Sequence, residues 1–355
     1  MPATLPEIGV VIIGVNVERY LADCIRSVHS ADYPPELLKI VYVDGGSRDA
    51  SARIAGEFEN VAVIELNDRH PTPGRGRNAG WKSLATPLIQ FMDADTVLDP
   101  DWFQRACAVL DDSKPAVCGH RRERYPQKNV YHRFTEMEWH YETGPCRYFG
   151  GEVLVRRSVL ETTGGFDEDL VAGEDPELSY RIRRNGWQIL RIDAPMSIHD
   201  INMTTFRQYL RRAFRSGYAY AEIALRFIRN PEKLWLKESI RIVAKALLPI
   251  CLVVAGILTG NTGWGILLGL LILFRPLFNL GRLKQGSQQP WGTVLLYAGH
   301  TALVVYPQFG GMMRYFWGRA TGRPLQNKGL VNQGPVTGPG DAKSITDKIE
   351  RKPKK

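Results

Sequence analysis

Pro87-Leu88-Ile89-Gln90-Phe91-Met92-Asp93-Ala94-Asp95 is a short apolar run that ends on two carboxylates placed two residues apart. Alternate side chains of an extended backbone share a face, so Asp93 and Asp95 point the same way where a buried strand emerges. A hard divalent cation such as Mg²⁺ or Mn²⁺ suits such a pair. It takes oxygen from one or two carboxylates and completes its shell with water and phosphate oxygens, as the binding of a nucleoside diphosphate requires. Two acids at this spacing also occur on solvated loops, so the flanking segments decide the reading.

Upstream, Ile8–Val15 is a continuous run rich in β-branched residues, of the kind found in strands buried on both faces. Tyr20, Leu21, Cys24, Ile25 and Val28 then recur at helical spacing, and Ile40–Val43 is a second short apolar run. Asp44-Gly45-Gly46-Ser47-Arg48-Asp49 closes it with a tight turn, in which Ser47 or Asp49 can cap a helix carrying Ile54, Ala55 and Phe58. A third strand is predicted over Val61–Leu66. A Gly-rich lead-in (Gly74, Gly76, Gly80) precedes a helix around Asn78–Ala85 and the strand that ends at Asp93. Such alternation predicts an α/β fold with a mostly parallel, twisted sheet, helices on both faces, and ligands at the carboxyl ends of the strands. Polar residues gather at those ends: Asn16 and Glu18, Asp44, then Asp93 and Asp95.

The charge is unevenly divided. Residues 1–200 carry a net −8 and residues 201–355 a net +17. A basic second half interleaved with long apolar runs suits anionic membrane lipid rather than nucleic acid. Five scattered cysteines with no Cys-x-x-Cys pair indicate neither a disulfide framework nor a zinc site. The apolar run near the N-terminus is too short to span a bilayer and lacks a basic flank, so the first half is expected in the cytoplasm.

Val10-Val11-Ile12-Ile13-Gly14-Val15-Asn16 with Glu18 and Leu21, Val43 to Asp49, Gly76-Arg77-Asn78-Ala79-Gly80, and Asp93-Ala94-Asp95 together resemble the family 2 glycosyltransferases of GT-A fold. Gly164-Gly165-Phe166-Asp167 and Gly173-Glu174-Asp175-Pro176-Glu177-Leu178, with Arg181 and Gly186-Trp187, extend the resemblance to roughly residues 8–230. Two departures stand out: Gly14 where the family usually has Pro, and Val17 where an acid usually follows the Asn. The resemblance implies nucleotide-binding roles for Asn16, Glu18, Asp44, Arg77 and Asp93, and metal ligation by Asp93, Asp95 and His199. It also implies that Asp175 is the general base that activates an attacking hydroxyl. Read without it, Glu174 and Asp175 simply complement a helix dipole, with Pro176 in the first turn.

After His199 comes a helix with Phe206, Leu210 and Phe214 on an apolar stripe beside Arg207, Arg211 and Arg215, which reads as a helix lying on the bilayer surface, with packing against the catalytic domain as the alternative. Its Gln208-Tyr209-Leu210-Arg211-Arg212 is similar to the Gln-x-x-Arg-Trp of processive polysaccharide synthases, but Arg212 replaces the Trp, which argues against a processive polymerase. Glu174, Gln208, Arg211 and Arg212 are the candidates for acceptor or diphosphate contacts. Ala246–Phe274 contains no charged residue, and Gly260-Asn261-Thr262-Gly263 divides it, so two membrane helices are predicted over roughly 241–259 and 264–281. A third apolar stretch at 293–313 is broken by His300, Pro307, Gly310 and Gly311, and reads as re-entrant or interfacial. The basic loop at 281–289 is expected in the cytoplasm, and the Gly-, Pro- and Lys-rich tail to be disordered.

The expected organisation is a catalytic domain over 1–200, interfacial helices over 201–240, membrane helices over 241–320 and a basic tail over 321–355. The expected activity is that of an inverting, Mg²⁺- or Mn²⁺-dependent glycosyltransferase at the inner membrane. It would move a sugar from a nucleotide sugar, UDP-linked by preference, to a lipid-linked saccharide. A polyprenyl-phosphate glycosyl synthase and a catalytically silent scaffold are the alternatives.

Overall fold

The computed structural model describes residues 5–66, 71–139, 141–274, 277, 280–285 and 289–325. The first half alternates as expected: β1 (Ile8–Gly14), α1 (Leu21–His29), β2 (Leu38–Asp44), α2 (Ser51–Gly56), β3 (Val61–Glu65), α3 (Pro73–Ser83) and β4 (Leu88–Asp93). In α1, Leu21, Cys24, Ile25 and Val28 form the buried face at the spacing of one helical stripe. Strands β3, β2, β1 and β4 are neighbours and parallel. Their register is flush at the carboxyl end, where Ile13 lies opposite Asp93 and Gly14 opposite Asp44.

The Gly-rich stretch before Asn78 is helix rather than loop. Thr72 caps α3 by accepting from the Arg75 N–H, and Pro73 occupies the first turn. A side chain on Gly80 would run into Val11, and one on Gly76 would press on Ile13, so these glycines let α3 lie directly on β1.

Beyond β4 the sheet becomes mixed. The remaining elements up to His199 are β5 (Thr96–Leu98), α4 (Trp102–Cys107), β6 (Ala116–Glu123), α5 (Val130–Glu138), β7 (Gly144–Cys146), β8 (Val153–Arg156), α6 (Arg157–Thr163), α7 (Glu174–Arg184) and β9 (Ile189–His199). The path runs β3-β2-β1-β4-β8-β6-β9-β5, with β7 also on β9. Strand β8 pairs antiparallel with both β4 and β6, and β9 pairs parallel with β6 but antiparallel with β5 and β7. The parallel sheet read from the sequence is therefore its first half. Flanking helices cover it, and Trp102, Phe103, Phe91, Ile12 and Ile89 are fully buried between the layers.

Six helices follow among the described residues: α8 (Phe206–Arg226), α9 (Leu236–Thr259), α10 (Gly263–Phe274), α11 (Leu280–Gln285), α12 (Trp291–Leu303) and, running on from it, α13 (Val305–Thr321). Among the described residues α9 alone is long and apolar enough to cross a membrane, and Ile257 and Leu258 on it are 75% and 79% exposed. Two expectations change here. Helix α8 is not simply a surface helix, because Ala213, Gly217, Tyr218, Ala221 and Ile223 are buried; only its first turns leave an apolar side chain, Phe206, well exposed. The stretch at 293–313 is split between α12 and α13, and α13 turns back onto α8. A side chain on Gly217 would overlap the Gln308 carbonyl, and one on Gly311 the Phe214 carbonyl, so the two helix backbones touch. The basic tail beyond 325, and residues 286–288 of the basic loop, lie outside the described residues.

Candidate active site

The strand ends set the stage. Ala94 is buried and donates its N–H to the Ile13 carbonyl, which turns Asp93 and Asp95 to the opposite side, as their spacing predicts. Because β5 runs antiparallel to β9 with Thr96 opposite His199, Asp95 meets His199 across 104 residues of chain, Oδ1 to Nε2 at 3.1 Å. One ligand atom from each of Asp93, Asp95 and His199 lies within 4.8 Å of the other two. Burial, the largest influence, pulls the imidazole down, but the charge and hydrogen bond of Asp95 together with the Asp93 charge raise His199 above its ordinary range. Burial likewise pushes Asp95 up, and the charge and hydrogen bond of His199, with a backbone hydrogen bond and the Arg121 charge, together bring it below its ordinary range. His199 Nδ1 is buried without a hydrogen-bond partner among the described residues. Two carboxylates, an imidazole and an unsatisfied ring nitrogen fit Mn²⁺ or Mg²⁺.

A second group meets Asp93 from the other side. Helix α7 starts after Gly173, which has φ +89° and whose missing Cβ leaves room for Ile223 and Trp235. Glu174 and Asp175 stand in its first turn. The buried Arg77 guanidinium, over the Phe166 ring at 5.3 Å, donates to Glu174 Oε1 at 2.7 Å and to Asp93 Oδ1 at 2.9 Å. Burial would lower its pKa, but Asp175, Asp93 and Glu174 together raise it. Asp175 is pushed up to about 7, by burial first; Arg77 pulls it down, while Glu174 and Asp93 push it further up. Its Oδ1 is buried without a hydrogen-bond partner among the described residues. Gly151, at φ +95°, lies beneath: a Cβ there would sit 3.6 Å from Asp175 Oδ2, from Asp93 Oδ2 and from Arg121 Nη1. Two carboxylates and one guanidinium thus converge above a glycine, beside the Asp93–Asp95–His199 group.

The remaining expected residues are placed differently. Asn16, Glu18 and Asp44 do share one corner, but they knit two turns together. Asn16 Oδ1 accepts from the Arg48 N–H at 2.7 Å, and Glu18 Oε2 from the Ala50 N–H at 2.9 Å. Asp44 accepts from the N–H groups of Gly46 and Ser47 and the hydroxyls of Ser47 and Tyr42. Arg77 is buried and ion-paired with Asp93, Glu174 and Asp175. Gln208 caps α8: its Oε1 accepts from the Thr204 and Thr205 N–H groups while Thr205 Oγ1 accepts from the Gln208 N–H, so it has a structural role. Arg211 is exposed, and Arg212 points to Thr135 and Glu138. The Gly164-Gly165-Phe166 turn is likewise structural, because Asn78 accepts from the Phe166 N–H and donates to the Phe166 carbonyl.

Three residues had no sequence signal. Arg121 on β6 reaches the carboxylate group and lies over the Trp139 ring at 4.3 Å. Trp139 in turn meets the His199 ring edge to face at 5.0 Å. Glu152 is buried beneath, accepting from Ser197 Oγ; burial pushes its carboxyl up, Arg121 pulls it down and Asp93 pushes it up. The Gly150-Gly151 pair ahead of Glu152 was the one visible pointer to a tight approach.

Known proteins resemble this chain in sequence and in fold. The chain is 26% identical over 255 residues to the "Probable glycosyltransferase YdaM" of Bacillus subtilis, covering 66% of this chain and 60% of that protein. It is 24% identical over 202 residues to the O-antigen chain rhamnosyltransferase RfbN of Salmonella typhimurium, covering 52% and 63%. The chain thus spans less than two thirds of the length of both. Among solved structures, the Pyrobaculum calidifontis mannosyltransferase PcManGT in complex with GDP-Man and Mn²⁺ superposes with a TM-score of 0.63 at 18% identity, over 90% of this chain and 89% of that one. Staphylococcus aureus TarS 1–349 in complex with UDP-GlcNAc does so at 0.53 and 16%, over 88% and 92%. The fold is GT-A-like, and the family model for glycosyl transferase family 2 matches residues 9–167. Residues 9–167 of this chain are therefore a glycosyl transferase family 2 domain.

Proposed function

We propose that the chain is an inverting glycosyltransferase that moves a sugar from a nucleoside diphosphate sugar to a hydroxyl of a lipid-linked saccharide. The observation that carries this reading is Asp175: a carboxylate raised to about 7, with a bare oxygen, on the same small space as Asp93. A base with a pKa near the working pH takes a hydroxyl proton most effectively. Asp175 accepts the proton of the acceptor hydroxyl as that oxygen attacks the anomeric carbon; the bond to the diphosphate breaks and the configuration inverts. Arg77 holds Asp93 and Glu174 in place and keeps Asp175 oriented, and so acts as a positioning residue. Asp93, Asp95 and His199 would hold Mn²⁺ or Mg²⁺, which when bound neutralises the charge that develops on the leaving diphosphate. Arg121 adds a fixed positive charge nearby. Asn16, Glu18 and Asp44 shape the corner for the nucleoside through the turns they brace.

The relatives and solved neighbours support nucleotide-sugar chemistry and leave the base open, since PcManGT was solved with GDP-Man and TarS with UDP-GlcNAc. We take α9 as an anchor in the cytoplasmic membrane with the catalytic part on the cytoplasmic side. Its length and exposed apolar face support this, and it brings the cleft to where lipid-linked saccharides present their head groups. The test is incubation of the full chain with a panel of nucleotide sugars and defined lipid-linked acceptors, with and without chelator, and identification of product by mass. Transfer from no nucleotide sugar would refute the reading.

A further inference from the structure

Helices α5, α8, α12 and α13 border an open cavity of about 220 Å³ whose lining includes none of Asp93, Asp95, Asp175 and His199. Its walls include Tyr131, Phe134 and Tyr209, with Glu138, Arg212 and His300 among the charged and polar side chains that face it. Tyr131 and Tyr209 are stacked with ring centres 5.7 Å apart, and the Phe134 and His300 rings are 4.8 Å apart. The Tyr209 hydroxyl and His300 Nδ1 are 2.7 Å apart, which fixes both rings. The ionic members are held less tightly: Glu138 lies 3.6 Å from both Arg212 and His300 Nε2, beyond good hydrogen-bond geometry. Glu138 therefore keeps acceptor capacity, and the Arg212 fork, with one bond to Thr135 Oγ1 at 3.3 Å, keeps donors. Tyr131 and Tyr209 pack against the cluster of Trp139, Ile201 and Met203, and the Trp139 ring meets His199, so the cavity wall is continuous with packing that reaches the proposed metal ligands.

The lining selects among ligands. A phosphate or pyrophosphate would meet Glu138. Burial pushes that carboxyl up, but the His300 ring and the Arg212 charge outweigh burial and hold it below the ordinary glutamate range, so it repels an anion. A hydrocarbon chain would leave the acceptor of Glu138 and the donors of Arg212 without a partner from the ligand. A neutral sugar ring meets both demands. Its C–H face lies on aromatic rings, and its hydroxyls donate to a carboxylate and accept from a guanidinium. We propose that this cavity is an acceptor subsite that binds a neutral hexose unit of the acceptor saccharide, one or more units away from the sugar that reacts. This rests on the proposed transferase activity for the word acceptor, but the binding itself does not.

The experiment is saturation-transfer NMR on the full chain with a panel of methyl hexosides, inorganic pyrophosphate as a competitor, and the variants Glu138→Gln and Tyr209→Ala. At least one hexoside is expected to bind the wild type, to weaken at least tenfold in Glu138→Gln, to be lost in Tyr209→Ala and to be untouched by pyrophosphate. In transfer assays Glu138→Gln should raise the acceptor KM at least tenfold and the donor KM less than twofold. Glu138→Gln is isosteric and decides the matter alone if Tyr209→Ala does not fold. Absence of hexoside binding, unaltered binding in Glu138→Gln, or displacement by pyrophosphate would each overturn the subsite. Hexoside binding that obeys the variants in a chain that transfers from no nucleotide sugar would uphold the cavity as a sugar site and refute the proposed activity.

Discussion

Arg77 Nη1 lies 3.6 Å from Asp175 Oδ1, yet its hydrogen bonds go to Glu174 and Asp93. The guanidinium therefore acts on Asp175 by charge and orientation and leaves that oxygen free. Of the forces on Asp175, burial is the largest and Arg77 the main counterweight.

Asp175→Asn keeps the size of the side chain and removes its basicity. Turnover is expected to fall about 10²–10⁴-fold, or roughly 3–5 kcal/mol of transition-state stabilisation. Nucleotide affinity by calorimetry should change little. Because the ionised form is the base, the wild-type rate should rise with pH through a limb at or below about 7, since a cation held nearby favours the carboxylate. The variant should lack that limb, and equal turnover of the two proteins would remove Asp175 from the mechanism.

Arg77→Met replaces the buried cation by a side chain of similar length and leaves Asp93 and Glu174 without their partner. Removing one side of a buried ion pair costs about 3–5 kcal/mol, which urea unfolding of the full chain would read. The rate limb attributed to Asp175 should also move to higher pH, because the charge that held the carboxyl down is gone. A merely structural role for Arg77 would lower stability and leave the limb where it was.

Metal binding should release protons. His199 is raised above its ordinary range by Asp95, and a metal ligand must be the neutral imidazole. Protonation competes with the cation at low pH, so Mn²⁺ affinity should climb as pH rises through the His199 pKa and level off above it. Calorimetry in buffers of different ionisation enthalpy would count the proton. Asp95→Ala should abolish both binding and the proton release; Mn²⁺ affinity that is flat between pH 6 and 8 would contradict the ligand assignment.

The contact between α8 and α13 predicts a purely steric phenotype. Gly217→Val places two methyl groups where the Gln308 carbonyl stands. Forcing extra volume into a packed contact costs about 1–3 kcal/mol, and here backbone must move to admit it. Limited proteolysis should then cut around α13 faster than in the wild type, whereas Gly299→Val, at a position with open space, should not have this effect.

The parallel half of the fold was legible because each unit there is local: an apolar run, a turn, a stripe at helical spacing. The antiparallel half was not, since β7 and β8 have only three and four residues and derive their identity from partners far along the chain. Asp93 and Asp95 could be read from alternation, while His199 came from family resemblance, because only the β5–β9 pairing brings it to Asp95. Gln208 carries a second signal in the sequence. Thr205-x-x-Gln208 is a capping box visible in the sequence, and its geometry accounts for the glutamine fully. Arg121 and Trp139 sit in polar surroundings with no motif, and only the fold assembles them over His199.

Helix α8 belongs to two assemblies at once. Ile223 packs beside Tyr180 and Leu170 of the catalytic part, while Tyr218 and Ala221 pack with Ile242 of α9 and Met312 of α13. A helix gripped on both sides works as a keyed shaft: about 100° of rotation accompanies each residue. Adding a single residue between Ala221 and Ile223 would swing the Ile223 contact around the axis relative to those of Tyr218 and Ala221, with every side chain still present. The angle between the cleft and the apolar anchor is thus written in the residue count of α8, and the spacing of small residues along it carries as much information as the carboxylates do.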